Sequence, residues 1–179
     1  MGILNFEKGF TLVELIVTLT FASILALYAI PNFIQFVDRT RYRLEIHHLI
    51  QSVELARSEA IKRGQYVTLC PSNNKVDCGD NWGEGYLVFV DTNHNGLRES
   101  TEILLSSHQP SLTGQNVTFK HFGRHQETLA LTLSPLGQTQ NNGSFRFMPN
   151  DSNQFGGVKL VINSAGIIRE ERDTPAGDS

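Results

Sequence analysis

The sequence predicts an α+β chain: a long N-terminal helix, membrane-spanning in its first half, packed on an antiparallel β-sheet domain. Three observations predict this. From Phe10 to Ile30 the residues are apolar or small and Glu14 is the sole charge. Apolar residues then recur at spacings of three and four from Ile46 to Ala60. From Tyr66 onward, short strand-like segments alternate with clusters of Gly, Asn, Pro and Ser. With 179 residues there is room for one domain beyond the membrane segment. A net charge of −3 gives no overall basic footprint for nucleic acid.

The segment Lys8-Gly9-Phe10-Thr11-Leu12-Val13-Glu14-Leu15 opens the apolar run. A secretory signal peptide places its cleavage site after the apolar core. Here a short charged leader ends at Gly9, so a cut at that point would retain the run. Roughly 20 apolar residues cross a hydrocarbon core of about 30 Å, and the run has that length. A buried globular helix would be hydrophobic over fewer residues and would show a polar face. Glu14 is the anomaly. An acid at the centre of a membrane helix costs on the order of 2.5–3.5 kcal/mol and usually marks function. The alternative is that Glu14, close to the helix end, snorkels to the headgroups.

After Pro31 the pattern becomes periodic. Ile46, Leu49, Ile50, Val53, Ala56 and Ala60 make one apolar helix face, while Arg43, Glu45, Gln51, Glu54, Arg57 and Lys62 supply polar positions. Gly64 is the expected helix stop. One long helix follows, kinked or loosened near Pro31. The strand candidates are Tyr66–Cys70, Tyr86–Val90, Glu102–Leu105, Val117–Phe122, Leu129–Leu133, Phe145–Met148 and Val158–Ile162. The polar residues from Arg172 to Ser179 are expected to fray. The division is therefore a leader over 1–9, a membrane helix over 10–30, a soluble half-helix over 31–64, a β domain over 65–171 and a flexible tail over 172–179.

Cys70 and Cys78 flank a polar loop. In an oxidising compartment they would pair, closing a loop worth roughly 2–3 kcal/mol. Two free buried thiols or a metal site are the alternatives, but no neighbouring Cys or His pair completes a four-ligand zinc site. The disulfide, favoured, points to the periplasm or cell exterior.

The leader resembles the class III leader of type IV pilins and pseudopilins: a short basic segment ending in Gly, then Phe-Thr-Leu-Val-Glu. The resemblance implies cleavage by prepilin peptidase after Gly9 and N-methylation of Phe10. It also implies that Glu14 meets the free amine of a neighbouring subunit's first mature residue. It places the chain in a bacterial inner membrane as a single-pass protein with a periplasmic C-terminal domain. The count of nearby Lys and Arg opposes this orientation, because Arg39, Arg41 and Arg43 follow the apolar run. The leader and the cysteines decide for the periplasmic domain.

The resemblance extends further. Leu55-Ala56-Arg57-Ser58-Glu59-Ala60-Ile61, Trp82-Gly83-Glu84-Gly85-Tyr86-Leu87-Val88-Phe89-Val90-Asp91, Gly143-Ser144-Phe145-Arg146-Phe147 and Val161-Ile162-Asn163-Ser164-Ala165-Gly166 are similar, in that order, to segments of the GspH/FimT family of minor pseudopilins. It implies a pilin-like fold and an assembly subunit near the tip of a filament. That filament would be a type II secretion pseudopilus or a type IV pilus, joined to other pilins through the N-terminal helix.

Three further constellations carry chemistry. Asp91-Thr92-Asn93-His94-Asn95-Gly96 followed by Glu102 fits the spacing of a calcium loop, with Asp91, Asn93, Asn95 and Glu102 at ligand positions. Its flanks read as strands rather than helices, and a connector rich in Asn and Gly is the competing reading. The histidines form no convincing centre, and neither a nucleophile elbow nor a His-Glu-x-x-His run is present, so no enzyme is expected. Finally, some members of the resembled family bind DNA in natural transformation through arginines near the C-terminus. Here Ile167 stands where the first arginine would be; Arg169 and Arg172 remain, flanking Glu170 and Glu171, and Lys120 and Arg124 form a second basic group. Phosphate attraction needs an excess of cations, so a solvated mixed-charge surface ranks ahead of DNA binding.

Overall fold

The computed structural model describes residues 11–110, 116–122, 129–148 and 156–173. A helix, α1, spans Leu12–Arg63. Eight strands follow: β1 (Val67–Pro71), β2 (Tyr86–Val90), β3 (Leu104–His108), β4 (Asn116–His121), β5 (Leu131–Leu133), β6 (Gly143–Met148), β7 (Gly157–Ile162) and β8 (Ile168–Asp173). A 3-10 turn covers Trp82–Glu84. The chain divides into a unit ending at Thr40 and a unit starting at Arg41.

In the first unit the described side chains from Thr11 to Ile30 are all exposed. An apolar helix of this kind, with mean hydropathy 2.1 in its best window, is long enough to cross a membrane. Its Thr18, Thr20 and Ser23 hydroxyls return to the helix backbone. Thr18 Oγ1 donates to the Leu15 carbonyl at 2.9 Å, and Ser23 Oγ to that of Thr20 at 2.8 Å. These threonine and serine hydroxyls are thereby satisfied within the helix, as an apolar solvent demands. The helical assignment passes through Pro31 without interruption, where the sequence leads one to expect loosening. A proline withholds its N–H from the preceding turn, and nearby the Asn32 side-chain amide donates to the Tyr28 carbonyl at 2.7 Å.

In the second unit the remainder of α1 buries Tyr42, Ile46, Leu49, Val53, Ala56 and Ala60, the face that the three-and-four spacing predicts. Glu45, which the same spacing assigns to the polar face, is buried at 6% exposure. Gly64 ends the helix at φ +64°, and Gln65 N donates to the Ala60 carbonyl at 3.3 Å. This is the left-handed stop that glycine adopts without a Cβ penalty.

The strands form two four-stranded antiparallel sheets, ordered β3-β2-β1-β5 and β4-β6-β7-β8. One core joins the α1 face to Val67, Leu69, Val88, Leu131 and Leu133 of the first sheet and Phe119, Phe145, Phe147, Leu160 and Ile162 of the second. A smaller cluster of Cys70, Leu87 and Phe89, with Cys78 and Ala130, covers the other face of the first sheet. β1 and β2 are therefore buried on both faces, which is why they read as continuous apolar runs instead of alternating.

β1, β4 and β7 lie within one residue of their candidates at each end, β5 starts two residues later and β6 two residues earlier, and two strands differ more. β3 starts at Leu104, because Glu102 is held back in the preceding turn. β8 matches no strand candidate and runs to Asp173, two residues into the segment read as a tail. It is a charged edge strand, so neither apolar alternation nor a hydrophobic face announces it.

Candidate functional site

Four regions hold the residues that the sequence singles out. Gly9 and Phe10 lie outside the described residues. Glu14 sits in the first turn of α1, exposed. Thr11 caps this end: its Oγ1 accepts from Glu14 N at 3.3 Å, and its carbonyl from Leu15 N at 3.2 Å. Thr11 and Glu14 thus occupy the first and last positions of a capping-box pattern, and the helix dipole favours an acid there. Sequence reasoning missed this second, local role for Glu14, although Thr-x-x-Glu before an apolar run is its signal.

Cys70 and Cys78 form a disulfide with Cα atoms 5.6 Å apart, and the described residues contain no free cysteine. Their loop is folded on itself. Asn74 Oδ1 accepts from Val76 N and Asp77 N at 2.8 and 2.9 Å, and Gly79 N donates to the Pro71 carbonyl at 2.7 Å. Arg98 ties this loop to the next one, donating from Nη1 to the Val76 carbonyl and from its backbone N to Cys78 Sγ. Replacing both cysteines with serine is expected to cost about 2–3 kcal/mol from the restored loop entropy. A drop in the urea midpoint measures this. The unsubstituted protein, denatured without reductant, should show no titratable thiol.

The carboxylates of the 91–102 loop are taken up by hydrogen bonds from the loop's own backbone and side chains and from Thr68. Asp91, fully buried, accepts from Asn95 N at 3.1 Å on one oxygen, and from Gly96 N at 3.0 Å and Thr68 Oγ1 at 2.8 Å on the other. Glu102 accepts from Thr92 N at 2.8 Å and Glu99 N at 3.1 Å. Asn93 and Asn95 both donate to Glu99 Oε1, at 2.8 and 3.0 Å. The four residues at calcium-ligand spacing are brought to one loop, as ligands would be. Their hydrogen bonds are those of a self-capped connector. Among the described residues no group of three or more His, Cys, Asp or Glu is arranged to hold a metal ion. Glu99, the hub of the two asparagines, is absent from the ligand pattern and so escapes a reading by spacing.

Of the basic candidates, Lys120 and Arg169 fall in one cross-strand row of the second sheet: Lys120, Ser144, Val161, Arg169. Both are exposed. The next row holds Thr118, Arg146, Lys159 and Glu171. Lys159 Nζ lies 3.6 Å from Glu171 Oε2 and 6.0 Å from the Phe122 ring centre. Arg172 pairs with Val158, in the row of the core residues Val117 and Phe147. Arg169 and Arg172, adjacent in sequence pattern, therefore belong to different rows. Arg124 lies outside the described residues.

A polar cluster that sequence reasoning did not assemble fastens α1 to the first sheet. Glu45 Oε2 and His108 Nε2 are 2.6 Å apart. The His48 ring stacks on His108 at 4.6 Å, and Tyr86 lies 5.2 Å from the same ring. Tyr86 and Ser52 share a hydrogen bond of 3.1 Å. Burial raises the Tyr86 phenol above its usual range; the Ser52 bond opposes this, and the Glu45 charge adds to it. Tyr42 donates to the Phe147 carbonyl of β6 at 2.9 Å, fastening α1 to the second sheet as well. Glu45 and His108 are 63 positions apart, and no local pattern links them.

The arrangement is a helix clamped by buried polar bonds onto two sheets, and comparison with known families matches it to one of them. A family model for type II transport protein GspH matches residues 45–166. The chain belongs to the GspH family. The matched stretch begins at the buried Glu45 and ends at Gly166. No curated protein matches the sequence significantly. The fold is similar to that of the Pseudomonas aeruginosa type IV minor pilin FimU, with TM-score 0.58 and 22% identity over 76% of this chain and 92% of that one. It is also similar to the minor pseudopilin EpsH of the Vibrio cholerae type II secretion system. One EpsH structure gives TM-score 0.53 and 11% identity over 77% of this chain and 98% of that one. A second gives 0.52 and 13% over 74% and 97%. Gly166 shows why a GspH-family turn holds glycine here: its φ is +73°, and a Cβ would meet the Gly137 carbonyl at 2.4 Å.

Proposed function

We propose that this GspH-family chain is a membrane-anchored, non-enzymatic minor subunit of a pilus or pseudopilus that assembles with other pilins through its N-terminal helix. The observation that carries the reading is the joining of a GspH-family domain to an exposed apolar helix opened by Gly9-Phe10 and Glu14. Prepilin peptidase would cut between Gly9 and Phe10, and Phe10 would be methylated. The subunit would then leave the inner membrane, with its β domain in the periplasm, and prime or cap a type II secretion pseudopilus or a type IV pilus. The disulfide supports an oxidising compartment. The solved relatives are a type IV minor pilin and a minor pseudopilin of type II secretion, which supports both filament types equally. Intact-mass measurement of the membrane-extracted protein is expected to show loss of residues 1–9 with one added methyl. Retention of Met1, or a cut between Ala22 and Ala29, would refute the reading.

One observation favours a second reading, DNA binding for uptake: the sheet register places the exposed Lys120 and Arg169 at the two ends of one row, across the buried Ser144 and half-buried Val161, with Arg146 and Lys159 in the next row on the same face. Antiparallel strands lie about 4.8 Å apart, so the row spans about 14 Å. Against it stand Glu170, Glu171 and the net charge of −3. Gel shift of duplex DNA is expected to be absent at physiological salt. A low-salt shift abolished by Lys120→Gln with Arg169→Gln, and falling steeply with salt, would promote this reading to first place.

A further inference from the structure

The core of the second unit has two separate parts. The main cluster contains neither cysteine. The smaller one, on the other face of the first sheet, is built on Leu87 and Phe89 of β2 and Cys70 of β1, each at most 1% exposed. Among the described residues, the half-buried hydrophobics packed on it are Cys78 and Ala130. Cys78 is thus part of the cover of this face, as well as the partner of Cys70.

The segment that delivers Cys78 has no apolar anchor of its own. Its flanks are fixed. Ser72 is buried and its N donates to the Gly85 carbonyl at 2.9 Å, and Trp82 belongs to the main core. Between them, residues 73–81 include no buried residue; Cys78 and Gly79 are half-buried. Val76, the one large aliphatic residue in this stretch, is 53% exposed. The Asn73 carbonyl accepts from the Gln109 side chain at 2.6 Å, and the Val76 carbonyl from Arg98 Nη1, both at the surface, where water competes. Few buried apolar contacts and exposed hydrogen bonds mark a segment that opens locally at low cost. The covalent bond to Cys70 is what holds it down.

We propose that the Cys70–Cys78 disulfide is a redox-sensitive latch: it closes the 73–81 segment over Leu87 and Phe89, and its reduction opens that cover while the main core stays folded. The exchange partner is a dithiol. Its thiolate attacks the half-buried Cys78 Sγ and not the buried Cys70 Sγ, because exchange needs access to the sulfur. The Cys70–Cys78 bond breaks, a mixed disulfide forms on Cys78, and Cys70 leaves as a thiolate that takes a proton. The second thiolate of the dithiol then attacks its own sulfur in the mixed disulfide, closing a cyclic disulfide, and Cys78 leaves as a thiolate that takes a proton. Two electrons and two protons thus pass from the dithiol to the cysteine pair. Closing the latch is the reverse, with a disulfide as oxidant. The surface of this domain is then complete in an oxidising compartment and open on one face in a reducing one. The latch does not depend on the filament reading, which Glu14 substitution tests separately.

The test uses the full chain in detergent micelles, reduced with dithiothreitol and then freed of it. N-ethylmaleimide is the probe, read by peptide mass. Cys70 lies inside the covered cluster, so its labelling reports the opening. Its rate is expected to come within about tenfold of that at Cys78, and trypsin to cut after Lys75 at least about tenfold faster than in the oxidised chain, as for an opening that costs little. The backbone amides of Phe145 and Phe147 should keep their exchange protection, because both residues belong to the main core. Reoxidation with glutathione disulfide should restore slow cutting. Cys78→Ser, which removes the latch without a reductant, should leave Cys70 equally open to labelling. A Cys70 that stays unlabelled in the reduced chain until urea is added would overturn the proposal, since hydrogen bonds alone would then keep the cover shut. Loss of exchange protection at Phe145 and Phe147 on reduction would overturn it too, since the disulfide would then hold the whole domain and not a cover.

Discussion

Replacing Glu14 with alanine is expected to abolish incorporation of this subunit into a filament while leaving membrane insertion and the β-domain fold intact. An acidic side chain on an apolar helix carries an insertion cost on the order of 2.5–3.5 kcal/mol at the bilayer centre. Its retention needs a compensating partner. In the proposed assembly that partner is the amine of Phe10 on a neighbouring subunit, and an unpaired buried charge on either side is strongly destabilising. The structure adds a competing role, because Glu14 lies at the last position of a capping-box pattern begun by Thr11. Glu14→Gln separates the two. Glutamine keeps the polar cap but removes the charge, so it should fail to assemble if pairing matters and succeed if capping alone matters. The fraction of subunit sheared off with the filaments, against that left in the membrane, is the measurement. Normal assembly of the alanine variant would leave Glu14 as a snorkelling cap.

Phe145→Ala is expected to destabilise the second unit by about 3–5 kcal/mol, the range for deleting a buried aromatic ring. Phe145 is fully buried at the centre of the second sheet. Its ring meets Trp82 edge-on at 4.7 Å and Phe119 at 4.5 Å. These contacts join β6 to β4 and to the 3-10 turn before β2, so no single element can relax into the space. Against a total stability of about 5–15 kcal/mol, the loss would leave a substantial unfolded fraction. Urea unfolding should show a lower midpoint at unchanged slope. A midpoint shift equivalent to less than about 1 kcal/mol would mean that the core collapses around the deletion.

The legible elements are those whose signal is local. The α1 face from Ile46 to Ala60 shows in its spacing, the helix stop in Gly64 and β2 in Tyr86–Val90, all matching the structure. The apolar residues after Glu102 suggest a strand over Glu102–Leu105, whereas β3 runs Leu104–His108. The side chain of Glu102 instead turns to the backbone of Thr92 and Glu99. β8 stayed hidden because an edge strand needs no apolar alternation, only backbone partners, and β7 supplies them. The basic residues were identifiable as residues, but their grouping was not. Pairing Arg169 with Arg172 followed nearness in sequence, whereas strand register joins Arg169 to Lys120.

By itself the sequence determined the membrane-grade helix, the helix face, the cysteine pair and the family resemblance. Each of these is written in composition or in spacing along a short stretch, where local sterics and hydrophobic periodicity act. Only the tertiary structure decided that the strands divide into two sheets, that Glu45 is buried against His108 and that Lys120 and Arg169 share a row. Those outcomes depend on which strand pairs with which and in what register. Pairing energy comes from backbone hydrogen bonds common to every residue, so register is chosen by packing of the whole core and not by any local pattern.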